Sequence, residues 1–152
     1  MAKHYKQGKF KPSNTDKYVG NLNEIVYRSS WEYHFFKHCD LNENVLKWNS
    51  EGLVIPYVSP VDNKIHRYFV DIVVTYKQKD GGSKTFLVEI KPYEQTKPPK
   101  EPKRKTKKAM NNYKNAVKTY AVNQAKWKAA RDFAAKHGYE FVVITENELF
   151  KK

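Results

Sequence analysis

Tyr68-Phe69-Val70-Asp71-Ile72-Val73-Val74 and Phe86-Leu87-Val88-Glu89-Ile90-Lys91 read as two strands, each carrying one carboxylate among apolar neighbours. Aromatic and β-branched residues dominate both, the composition that a half-buried pleated surface selects. The first run extends as one expected strand from Ile65 to Tyr76, and the second from Lys84 to Lys91, where Pro92 stops the pairing. Asp80-Gly81-Gly82-Ser83 between them is a turn cluster. Strand side chains alternate faces, so Glu89 and Lys91 project together while Ile90 points into the core and can offer its backbone carbonyl. Folding the chain about the turn brings Asp71 opposite residues near 90–92, within a residue or two. The polar heads of Asp71, Glu89 and Lys91 can therefore meet on one face.

Carboxylates are seldom buried without a partner or a metal. Hydrolysing a phosphodiester needs an activated water and neutralisation of charge at phosphorus. Bound Mg2+ supplies both, held as a hard cation by carboxylates and water. Asp71, Glu89 and the Ile90 carbonyl are the candidate ligands, and Lys91 is placed to stabilise charge on the attacked phosphate. The plainer alternative is an ion-pair cluster on the solvated face of a hairpin. Against it, the same-face neighbours Val73 and Leu87 are apolar, whereas a polar face would continue along both strands.

Outward from this hairpin, residues 1–23 read as a basic, extended arm, and residues 24–152 as one domain. Ser29 and Glu32 have capping-box spacing at the start of a helix that carries Trp31, Phe35 and Cys39 and leaves at Asp40-Leu41-Asn42. Glu32 is thus either a cap or a carboxylate carried over the strands. Gly52 to Val58 is a further expected strand. Residues 92–108 form a Pro- and Lys-rich connector. Beyond it, Tyr113, Ala116, Tyr120, Trp127 and Ala130 mark a helical region, with a possible break at Asn123 and a C-cap at Gly138. Phe141 to Ile144 is a buried strand, and Thr145 with Glu148 caps a short final helix.

The chain carries 29 Lys and Arg against 16 Asp and Glu in 152 residues, a formal charge of +13. Most of that excess falls in residues 1–17 and 97–108. Two basic segments of this kind in one small domain favour nucleic acid, and neither has the apolar face of a membrane-surface helix. Lys9, Lys11, Arg28, Lys97, Lys100, Lys103, Arg104, Lys105, Lys107 and Lys108 are the expected phosphate contacts. The lone Cys39 excludes an intrachain disulfide, and no apolar run is long enough to span a bilayer. A soluble, intracellular protein is expected.

Asp71…Glu89-Ile90-Lys91, preceded by a helix bearing Glu32, resembles the PD-(D/E)XK nuclease superfamily, with Val70 in the place of its proline. Tyr27-Arg28-Ser29-Ser30-Trp31-Glu32 and Phe141-Val142-Val143-Ile144-Thr145-Glu146 are similar to TnsA-type endonucleases. Lys9-Phe10-Lys11-Pro12, Trp48-Asn49-Ser50-Glu51 and His66-Arg67-Tyr68-Phe69 resemble the head completion proteins of T-even-type bacteriophages. The resemblance implies an α/β fold leaning to α+β, a restriction-endonuclease-like core with a mixed sheet of about four strands flanked by helices. It implies Mg2+ or Mn2+ on Asp71 and Glu89, Lys91 at the attacked phosphate and Glu32 as the helix-borne acid. It further implies DNA as substrate, action in the infected host's cytoplasm on DNA-filled heads, and phage head, portal or neck proteins as partners. Cutting both strands would require a homodimer or two encounters. The competing expectation is a non-catalytic head protein that binds packaged DNA or the portal through its basic segments.

Overall fold

A computed structural model describes residues 7–151. The arm's first six residues, with Lys3 and Lys6, lie outside the described residues. Gly8–Lys9 (β1) pairs with Val26–Tyr27 (β2), and two 3-10 turns lie between them. Helix α1 spans Ser30–Leu41 and is followed by β3 (Val45–Ser50), β4 (Val54–Val58) and β5 (Ile65–Phe69). Then come β6 (Ile72–Lys77), β7 (Ser83–Ile90), α2 (Lys107–His137), β8 (Glu140–Ile144) and α3 (Glu146–Leu149).

The central sheet has the order β3-β6-β7-β8, antiparallel except for the parallel β7–β8 pair. This is the mixed four-stranded α/β core expected. The parallel pair follows from its connection, since only a crossover as long as α2 can return the chain in the same direction. One face of the sheet packs under α1: Ile72, Val74 and Val88 join Phe35, Phe36, Cys39 and Trp48, with Phe10 from the N-terminal segment. Burial holds the Cys39 thiol well above its usual range. The opposite face packs under α2, where Val70 and Leu87 meet Ala130 and Ala134. Ile55, Tyr57 and Tyr68 of the β4–β5 hairpin complete that second core.

Three expectations need correction. The run Ile65 to Tyr76 is two strands in two sheets rather than one. Val70 is wholly buried and its amide goes to the Leu53 carbonyl at 3.0 Å, while the Asp71 carbonyl accepts from the Glu51 amide at 3.2 Å. These two bonds turn the chain from the hairpin into the central sheet, and Asp71 stands at the corner. Val45–Ser50 is an unexpected strand at the sheet edge, pairing Trp48 with Val74. Finally, α2 runs unbroken through Asn123, which is buried on the core-facing side and caps nothing. Tertiary burial there overrides a cap-forming residue type.

The remaining boundaries follow the local chemistry. Ser29 caps α1 by accepting from the Glu32 amide. Gly138 closes α2 at φ 72°, a left-handed conformation that costs glycine little. Thr145 and Glu148 form a complete capping box on α3.

Candidate active site

Strand register brings the chemistry together. Ile72 pairs with Val88 and Val73 with Leu87, so the same register carried one residue further sets Asp71 across from Glu89. That is one residue nearer the turn than parity alone suggested. Asp71 Oδ2 accepts from the Ile90 amide at 2.9 Å, which fixes its carboxylate against β7. Lys91 Nζ stands 3.7 Å from Glu89 Oε2. The Lys91 backbone is held in turn by the Ile144 carbonyl at 3.0 Å, so the parallel strand β8 sets this end of β7.

Glu89 is 4% exposed, yet both of its oxygens are satisfied. The Tyr68 hydroxyl donates to Oε1 at 2.9 Å, and Trp127 Nε1 donates to Oε2 at 3.1 Å. These donors come from β5 and α2, so the corner at Val70–Asp71 and the middle of the long helix both serve to aim one carboxylate. Sequence reading missed both residues, because Trp127 counts only as part of an apolar helical stripe and Tyr68 as strand core. The available signal was that a buried indole N–H or phenol needs a partner.

Burial pushes the Asp71 carboxyl well above the usual carboxylate range, and the neighbouring Glu89 charge pushes the same way. Burial also raises Glu32, with smaller contributions from Glu51 and Glu89, against the Arg28 amide that lowers it. Glu32 Oε1 accepts that amide at 3.0 Å. The capping box at α1 is therefore only half made: the glutamate reaches the residue before the cap, not the cap itself. Among the described residues no three His, Cys, Asp or Glu side chains gather closely enough to hold a metal. Glu32 is nevertheless near enough to the Asp71–Glu89 pair for its charge to act on Asp71 and for that of Glu89 to act on it.

Arg28 does not stand free for phosphate as expected. Its Nε and Nη2 donate to Glu51 Oε2 and Oε1 at 2.8 and 3.1 Å, a bidentate pair at the rim. Glu51 holds this position at φ 55°, and a Cβ at Gly52 beside it would meet the Asn49 side-chain carboxamide, which packs against this turn. Lys9, Lys11, Lys100, Lys103, Arg104, Lys107 and Lys108 are exposed. Lys97 lies over the Tyr93 ring at 4.3 Å, and Lys105 pairs with Glu101 at 3.0 Å.

Around the site Arg28 and Lys91 stand against Glu32, Glu51, Asp71 and Glu89, so negative charge is in excess. A site with an excess of negative charge, inside a chain of charge +13, is suited to a divalent cation rather than to a bare phosphate. The donors are hard oxygens, and each Glu89 oxygen keeps a lone pair beyond the bond it accepts. Asp71, Glu89 and the Ile90 carbonyl thus fit Mg2+ or Mn2+ in chemistry.

Two strands thus bring two carboxylates and a lysine together at the corner of a mixed sheet. Residues 42–146 match the family described as TnsA-like endonuclease N terminal, and the chain belongs to it. Asp71, Glu89 and Lys91 lie inside the matched span, and Glu32 lies before it. The chain is also 42% identical over 142 residues to the head completion nuclease of Enterobacteria phage T4, covering 93% of this chain and 92% of that protein. No solved structure matches.

Proposed function

We propose that this protein is a divalent-metal-dependent DNA endonuclease of the PD-(D/E)XK type that acts on DNA-filled phage heads before the tail joins. The observation that carries the reading is the convergence of Asp71 and Glu89 from adjacent strands, with Lys91 beside them. Asp71, Glu89 and the Ile90 carbonyl would hold Mg2+ or Mn2+. When bound, the cation supplies charge neutralisation at the attacked phosphate and lowers the proton affinity of water. Lys91, with its short tether to Glu89, donates to a phosphoryl oxygen as charge builds there. Tyr68 and Trp127 keep the Glu89 carboxylate from rotating. Glu32, held by the Arg28 amide, orients water at the rim. Phage head, portal or neck proteins are the partners that the relative's name suggests.

Supercoiled plasmid offered to the purified protein should be nicked or linearised with Mg2+ or Mn2+, and left intact when EDTA removes the metal. Intact plasmid under every metal condition would favour a non-catalytic DNA-binding role instead.

Ser29 and Glu32 separate cap from chemistry. Ser29→Ala should cost about 1 kcal/mol of stability and leave the cleavage rate near wild type. Glu32→Gln keeps an acceptor for the Arg28 amide, so it should melt like wild type and cut roughly 10- to 100-fold more slowly, the range for groups that support a metal site from outside its ligands. Melting curves beside single-turnover rates for both variants distinguish the two. Equal, small rate effects would reduce Glu32 to a helix-end residue.

A further inference from the structure

Helix α2 is 31 residues long, but its first buried residue is Asn123. The stretch from Lys107 to Thr119 has no residue in the core, and most of it is exposed. A short helix in water draws most of its stability from packing an apolar face or from side-chain ion pairs. Here neither operates strongly: among the described residues no ion pair involves Lys107, Lys108, Lys114 or Lys118. The composition is one-sided as well. Residues 102–131 hold ten Lys and Arg and no Asp or Glu. The helical part of that run, Lys107 to Arg131, keeps seven of the ten, and a polyanion laid along it relieves their mutual repulsion.

At 100° per residue the side chains sort into separate rows. Lys108, Asn112, Asn115, Thr119 and Lys126 fall within about 60° of one another. All but Lys126 are exposed, and together they form a row of hydrogen-bond donors. Lys107, Lys114 and Lys118 form a second stripe roughly a quarter-turn away, turned from the buried residues. The first row ends where the chemistry begins. Lys126 Nζ lies 5.9 Å from the Tyr57 ring and 5.7 Å from the Tyr68 ring, and Tyr68 is the residue that holds Glu89. From Lys108 to Lys126 the helix rises roughly 27 Å.

We propose that the row Lys108–Asn112–Asn115–Thr119–Lys126 is a track for the backbone of double-helical DNA, holding the duplex on one side of the cut over about eight base pairs. Charge complementarity identifies the occupant, and lysines at the two ends of a row of two amides and a hydroxyl suit phosphate and sugar oxygens, which position DNA without reading sequence. The track rests on the endonuclease reading for its purpose but not for its existence, because it contacts no residue of the Asp71–Glu89 pair except through Tyr68.

The test compares two variants with the same change in net charge. Lys108→Glu/Asn115→Glu/Thr119→Glu alters the row, and Lys114→Glu/Lys118→Glu alters the outward stripe. Binding of a blunt duplex of about 30 base pairs is measured by fluorescence anisotropy in EDTA across a salt series, with far-UV circular dichroism confirming the helix. The row variant should bind about 10-fold or more weakly and lose about one unit of salt slope per lost phosphate contact. The stripe variant should stay within about 3-fold of wild type, since charges turned from the duplex are largely screened. Equal losses would mean a diffuse cationic field, and no loss would leave the helix to some other partner; either result overturns the track. Should the glutamates unwind the helix, Lys108→Gln against Lys114→Gln makes the same comparison. Because binding is read without metal, a wild type that binds through the row yet cuts nothing would defeat the nuclease reading and leave the track standing.

Discussion

Asp71→Asn should bind duplex DNA as tightly as wild type, cut it about 10³-fold more slowly, and melt at a higher temperature. The rate loss follows from the charge, because asparagine retains the acceptor for the Ile90 amide and removes only the negative oxygen offered to the cation. The stability gain follows from the crowding. Burial and the nearby Glu89 both hold the Asp71 carboxyl above its usual range, so its ionised form works against the fold when no metal is bound. Removing one of two facing carboxylates relieves that repulsion. Opposite signs in rate and stability are the mark of a residue kept for chemistry. Single-turnover cleavage, anisotropy and a melting curve on one preparation read all three. An Asp71→Asn protein that loses stability along with activity would place this carboxylate among the structural ion pairs.

The second large effect lies in the other core. Phe36 is fully buried on α1, edge-on to Phe10 at 5.7 Å between ring centroids and tilted against Trp48 at 5.2 Å. Phe36→Ala should cost about 3–5 kcal/mol, combining the lost transfer energy with a cavity that strand-borne Trp48 cannot collapse to fill. For a domain of this size that lowers the melting temperature by roughly 10 °C. Phe10 and Trp48 both lean on this ring, so Phe10→Ala combined with Phe36→Ala should cost less than the sum of the two single losses. Chemical denaturation of the three variants measures the coupling. Additive losses would mean that the N-terminal segment packs independently of α1.

How far the sequence discloses this arrangement depends on the range of the forces involved. Ser29, Gly138 and the Thr145–Glu148 box announce helix ends because capping is settled within four residues. The facing of Asp71 and Glu89 is readable for a similar reason, since a turn cluster and period-two alternation fix register to within a residue. The corner at Val70–Asp71 is not readable. It is made by backbone hydrogen bonds from the Val70 amide to the Leu53 carbonyl and from the Glu51 amide to the Asp71 carbonyl, partners 17 and 20 residues apart, while Ile65 to Tyr76 has a uniform β-forming composition. Val45–Ser50 hides for want of alternation, as only Val45 and Trp48 in it are buried. The hold of Tyr68 and Trp127 on Glu89 crosses three elements and leaves no local trace. Arg28 shows the same limit in reverse: its charge suggests a phosphate contact, and only the fold reveals Glu51 already on its guanidinium.

The central claim is that Asp71 and Glu89 together form a divalent-metal centre, and calorimetric titration of Mn2+ into wild type, Asp71→Asn and Glu89→Gln tests it without needing a substrate. Wild type should take up Mn2+ saturably, and each single variant should lose that uptake while remaining folded. Equal uptake by all three proteins, or none by wild type in the presence or absence of duplex DNA, would contradict it.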